Sequence, residues 1–208
     1  RECIIVGVDN GPNRLNDYAA PDAGGWADGR YFTFLRTQLK PLIDGQFRTL
    51  TGAEETGTVG SSMGAQAALY MGWDSGGTYA RIGGLSGAYT VFNSGFLNRV
   101  QSQPKRAVRL YLDTGDSGTS SDNYWQTYNL RDNLLNPARA GGVGGGYTLE
   151  LDLRHRVGFG QIHNESAWAS RLPGCFSFLF PVTEEANALY GVVSAARGDV
   201  NDDDRVDD

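Results

Sequence analysis

Apolar and polar positions fall along this chain in blocks whose spacing alternates between that of strands and that of helices. CIIVGVD (residues 3–9) is an unbroken apolar run closed by Asp9, Asn10, Gly11 and Pro12, which predicts a strand buried on both faces and then a loop. RYFTFLRTQLKPLID (30–44) sets Tyr31, Leu35, Leu39 and Leu42 at helical spacing, with Pro41 placed to distort the last turn. A strand then leads to Gly60, and 63–73 favours a helix. RIGGLSG (81–87), AVRLYLDTG (107–115) and YTLELDLRH (147–155) read as strands, NYWQTYNLRDNLL (123–135) as a helix and ESAWASRLPGCFSFLF (165–180) as a final apolar helix. Strands alternating with helices predict an α/β fold, a mostly parallel sheet with helices on both faces. Ligands of such sheets bind in the loops at the strands' carboxyl ends.

Composition narrows the function classes. With 208 residues, 40% of them apolar and 20% charged, the chain can bury a core around one main domain. A net charge of −6 gives no electrostatic footprint for nucleic acid, and no apolar run is long enough to span a membrane. Cys3 and Cys175 fit no metal or redox spacing, and isolated buried thiols are common, although the two could in principle pair.

The candidate chemistry begins at TVGSSMGAQAALYMGW (58–73), where Gly60, Ser62 and Gly64 make the chain's one GxSxG at the predicted strand-to-helix junction. Glycines there let strand and helix approach closely around a serine held in a strained conformation and pushed into the open. A serine hydroxyl needs a base. His163, in the glycine-rich loop GFGQIHNESAW after the last strand, can be delivered to the same sheet edge. His155, between Arg154 and Arg156 in a strand, reads as structural. For the group that orients the histidine, LDTGDSGTSSDNYW offers Asp113, still in the strand, and Asp116 and Asp122, between which spacing does not choose. The order serine, acid, histidine is that of α/β-hydrolases.

Through IIVGVDNGPNRLNDY, LKPLIDGQFRT, VGSSMGAQAALY, LYLDTGDSG and HNESAWASRLPGCFSFLF, the chain resembles the esterase branch of the α/β-hydrolase superfamily. That branch includes enterochelin esterase-like proteins, feruloyl esterases, formylglutathione hydrolases and secreted mycolyltransferases. The resemblance implies Ser62 as nucleophile, His163 as base and the Met63 backbone N–H as an oxyanion donor. It favours Asp122 as the acid, with Asp116 the alternative, and needs no cofactor for catalysis. Ala65 stands where many members have a second glycine. The implied function is a serine carboxylesterase acting on a small-molecule or carbohydrate-linked ester, such as an acetyl or feruloyl ester. The alternatives are acyl transfer to a sugar acceptor, or a binding module without turnover. Tyr18, Trp26, Tyr124 and Trp125 are aromatics that could stack on a sugar or phenolic group, or simply pack.

The ends add separate expectations. GDVNDDDRVDD (198–208) resembles the opening of a dockerin calcium repeat, with Asp199, Asn201, Asp203 and the Arg205 carbonyl at positions 1, 3, 5 and 7 and Asp204 where glycine is usual. The competing reading is a solvated acidic tail. The repeat implies calcium, a cohesin-type scaffold partner and a secreted or extracellular protein. The expected organisation is a catalytic domain over 1–182, a linker over 183–197 and the repeat over 198–208. In the resembled family, the strand corresponding to 3–9 is separated in space from the nucleophile strand by a strand that precedes it in sequence. The loop after that strand gives the second oxyanion donor. The N-terminal strands are therefore expected to be missing, and the chain to be an internal segment of a longer protein that folds poorly alone.

Overall fold

The computed structural model describes residues 3–26 and 28–182. The linker and the acidic repeat expected over 183–208 lie outside the described residues, with Asp199, Asn201, Asp203 and Arg205 among them. Four parallel strands form one sheet in sequence order, β1 (Gly57–Ser61), β2 (Arg81–Leu85), β3 (Arg109–Gly115) and β4 (Leu153–Gly158). Their register aligns Ser61, Leu85, Asp113 and Arg156 in one row, so the loops that follow β1 to β4 leave from a common edge.

Alternation along the strands sends successive side chains to opposite faces. On one face lie α4 (Met63–Trp73), α5 (Val91–Ser102) and α6 (Tyr124–Leu135), whose Leu69, Trp73, Phe96 and Leu134 close on Ile82, Leu110, Leu112 and Leu153. The other face holds α7 (Glu165–Leu179), where Cys175, Phe178 and Leu179 pack on Leu85 and Tyr111. Gly83 makes this approach possible: a Cβ there would lie 2.7 Å from Cys175 Sγ. Before the sheet come α1 (Arg14–Tyr18), α2 (Arg30–Phe34) and α3 (Lys40–Gln46), the last two joined by a π-helical turn over Leu35–Leu39. That wide turn lies just before Pro41, which has no N–H to return and whose ring crowds the carbonyl one turn back.

Several boundaries differ from those the sequence predicts. Residues 3–9 form no strand: they are largely exposed, and β1, the edge of the sheet, pairs with β2 alone among the described residues. An apolar run becomes a strand only where a neighbouring backbone completes a ladder. The strand predicted over 147–155 starts at Leu153, because Thr148 N–H donates to Asp152 Oδ1 at 2.6 Å and folds 148–152 into a turn. No element is predicted over 91–102, where α5 forms. Cys3 is exposed and Cys175 buried, and both are free thiols. No helix among the described residues is long and apolar enough to cross a membrane.

Candidate active site

Ser62 joins β1 to α4 with φ 56° and ψ −124°, a conformation costly for a side chain with a Cβ. Its surroundings hold it there: its N–H donates to Leu85 O at 2.9 Å, and its carbonyl accepts from Ala65 N at 3.2 Å and Ala88 N at 3.1 Å. A Cβ at Gly60 would overlap the Gly64 carbonyl, so Gly60 is what lets the turn close. At Gly64 a Cβ would meet nothing within 4 Å, so the second glycine is not needed for close approach, contrary to the expectation for the pair. Met63 N–H is the first of α4, where first-turn donors have no carbonyl one turn back and the helix end favours negative charge.

His163 lies between β4 and α7. Its Nε2 is 2.9 Å from Ser62 Oγ and its Nδ1 is 2.6 Å from Asp122 Oδ1. The ring stands edge-on to Trp168, 4.9 Å between centroids. Beneath it, Ser117 N–H donates to Gln161 O at 3.1 Å, and a Cβ at Gly115 would overlap that same carbonyl, so the histidine loop sits directly on the loop after β3.

Asp122 is fully buried while the His163 side chain is 32% exposed. Ser120, Ser121, Asp122 and Asn123 all have φ between 44° and 64°, a left-handed run that costs each side chain roughly 1–2 kcal/mol. It is fixed by Thr114 Oγ1–H, which donates to Asp122 O at 2.6 Å, and by Asn123 Nδ2–H, which donates to Ser86 O at 3.0 Å. Asp122 Oδ2 accepts from Ser86 Oγ–H at 2.5 Å and from Gly115 N–H, leaving Oδ1 to the histidine.

The other candidates lie elsewhere. Asp116 Oδ1 accepts from Gly160 N–H at 2.7 Å and from Ser117 Oγ at 3.0 Å, tying two loops together away from the His163 ring nitrogens. Asp113 is buried under α7, its Oδ1 3.1 Å from Arg171 Nε, and burial pushes its carboxyl up to about 6. His155 is buried edge-on against Tyr128 on the α6 face. Two residues close to Asp122, Ser86 and Arg171, carry no expectation from the sequence. Ser86 follows β2 at the ligand-binding edge, which is a usable signal, but a single arginine in the apolar final helix gives none.

From Ser62 and His163 a trough of about 1700 Å³ follows the outer side of β1, walled opposite by Ile4, Ile5, Leu39 and Phe47. It exceeds the roughly 300–1,000 Å³ usual for a small-molecule site. Tyr18 lines it. Trp26 does not, its Nε1–H being held by Asp17 Oδ1 at 2.7 Å, and Tyr124 and Trp125 meet edge-to-face at the start of α6.

The family described as "Putative esterase" matches residues 1–178. No curated protein matches. Among solved structures, a ferulic acid esterase is similar at TM-score 0.54 and 19% identity, covering 72% of this chain and 60% of that one. The enterobactin esterase FES from Shigella flexneri, with 2,3-dihydroxy-N-benzoyl-serine, is similar at TM-score 0.63 and 17% identity over 82% of this chain and 41% of that one. The siderophore hydrolase EstB from Aspergillus nidulans gives 0.51 and 17% over 76% and 60%. At these identities the likeness is one of fold, and the chain spans between 41% and 60% of those three proteins' lengths. With the α/β sheet, the serine at the β1–α4 junction and the family match over most of its length, this chain belongs to that esterase family.

Proposed function

We propose that this chain carries the chemistry of a serine carboxylesterase, with Ser62 as nucleophile, His163 as base, Asp122 as orienting acid and Met63 N–H as an oxyanion donor. The observation that carries the reading is the unbroken run from buried Asp122 through both nitrogens of His163 to Ser62 Oγ, at 2.6 and 2.9 Å. An ionised Asp122 can only accept, so it places the proton on Nδ1 and leaves Nε2 to accept from Ser62. As Ser62 Oγ attacks the ester carbonyl, its proton passes to Nε2 and Asp122 stabilises the imidazolium. Charge gathering on the carbonyl oxygen faces Met63 N–H and the positive end of α4. The alcohol leaves with the Nε2 proton, and water activated by the same nitrogen releases the acid.

For substrate we propose a small-molecule or carbohydrate-linked ester of the acetyl or feruloyl class, a choice supported by the sequence resemblance and by neighbours named for ferulic acid and enterobactin. A fluorophosphonate probe should label wild type at Ser62 and leave Ser62→Ala unlabelled, while a screen of acetyl, feruloyl and dihydroxybenzoyl-serine esters ranks the acyl group. Absence of label on Ser62 in wild type overturns the reading. Secretion, calcium at 198–208 and a cohesin-type partner rest on the sequence of that segment. Calorimetric titration that shows no calcium binding below about 1 mM removes their support.

A further inference from the structure

Behind the triad, two buried carboxylates share one buried guanidinium. Arg171 reaches from α7, its side chain 7% exposed, with Nε 3.1 Å from Asp113 Oδ1 and Nη2 2.7 Å from Ser86 Oγ and 3.5 Å from Asp122 Oδ2. Its Nη1–H donates to Gln161 Oε1, two residues before His163. Ser86 accepts from Arg171 and gives its single proton to Asp122 Oδ2, so one hydrogen-bond relay runs from α7 through Ser86, Asp122 and His163 to Ser62. Ser86 has φ 47°, a conformation a serine rarely adopts, and its N–H lies 3.3 Å from Asp113 Oδ1.

We propose that Arg171 is a positioning residue of the triad: acting through Ser86 and Gln161, it keeps the Asp122 carboxylate turned to His163 and holds the histidine loop in register with the acid. This rests on the esterase reading and extends it to a residue that touches neither substrate nor Ser62. Without the guanidinium, Asp113 and Asp122 would be two unbalanced anions in one buried cluster, and such a cluster takes up a proton rather than keep both charges. The other titratable groups facing it, Tyr89 from the loop after β2, Tyr111 from β3 and Cys175 from α7, are held neutral by burial and supply no cation. A protonated Asp122 could no longer stabilise the imidazolium.

Arg171→Met should lower kcat by about 10²-fold, comparable with loss of the acid's charge at the low end. KM should stay within about threefold, since Arg171 does not line the trough. Removing the cation leaves the two buried carboxylates with surplus negative charge beside the histidine loop, so the acid limb of the kcat profile should move to higher pH. Adding Asp113→Asn removes the surplus anion and should return the limb and most of the rate. A packing role alone would lower thermal stability, leave the limb in place and gain nothing from the second substitution. Ser86→Ala keeps both charges and breaks only the relay, so it serves where Arg171→Met does not fold. It should cost about 10-fold in kcat, the value of one hydrogen bond to an ionised group. Unchanged kcat in Arg171→Met or in Ser86→Ala, or a double variant as slow as Arg171→Met, overturns the proposal. The same fluorophosphonate labelling of wild-type Ser62 separates that result from failure of the esterase reading itself.

Discussion

Two parts of this molecule meet at β1 and are built differently. On the side of β2, β3 and β4 the sheet is covered on both faces, and Ile82, Leu110, Leu112 and Leu153 are wholly buried. On the other side, residues 3–50 leave Ile5 70%, Phe47 51% and Leu50 64% exposed around the trough. Ser62, Asp122, His163, Ser86 and Arg171 all belong to the closed part, and from the open part come only walls. Ser62, His163 and Asp122 are held at hydrogen-bond distance by local strain and burial while the walls of the trough are loosely built. Orienting the run from Asp122 to Ser62 and lining the trough beside it are separate tasks in this fold.

Substitutions sharpen that division. In the closed part, Ser62→Ala or His163→Ala should lower kcat by about 10⁴ to 10⁶. In the open part, Phe47→Ala should move KM while kcat stays within about threefold. Steady-state hydrolysis of one ester by all three variants checks this, and a kcat loss at Phe47 as large as at His163 would dissolve the comparison. Backbone exchange tests it without substrate. Amides of β2 and β3 should exchange only through large openings, whereas those of 3–12 should exchange at least about 10³-fold faster. Equal protection would mean that the two parts fold as one unit.

The acid loop gives the next effect in size. Asp122→Asn should cost about 10² to 10⁴ in kcat, because among the described residues Asp122 is the carboxylate that meets His163 Nδ1. Asp116→Asn should cost less than about tenfold, since Asp116 accepts from Gly160 and Ser117. Rate measurements that reverse this order would move the acid to Asp116.

What could be read in the sequence follows the same line between the two parts. The GxSxG at a strand-to-helix junction, the loop histidine and the strands β1 to β3 are legible because local chemistry dictates them: glycine at a tight turn, apolar runs bounded by turn residues, a polar loop at a strand's end. Which of Asp116 and Asp122 meets His163 is not, because it depends on a run of left-handed residues from Ser120 to Asn123 that no glycine announces. Residues 3–9 misled because apolarity records a demand for burial and says nothing of which backbone will meet it. Arg171 was invisible for the opposite reason: its partners come from β3, the loop after β2 and the histidine loop, all far away in sequence.

The smallest effect separates the two glycines around Ser62, which the sequence presents as equivalent. A methyl group at Gly60 would drive into the carbonyl of Gly64, where strand and helix backbones cross, and neither backbone can yield without moving the serine between them. Gly60→Ala should therefore destabilise the closed part by about 2–3 kcal/mol, the scale of overpacking a tight interior. Kcat should fall as well in whatever fraction remains folded. Gly64 lies in the first turn of α4 with open space where its Cβ would be, so Gly64→Ala meets no clash and gains helix propensity, changing stability by at most about 1 kcal/mol in the favourable direction. Denaturant melts of the two variants provide the check. Comparable losses at both positions would show that the elbow is held by the pair, and that the strain at Ser62 is shared along the whole turn instead of being set at its strand side.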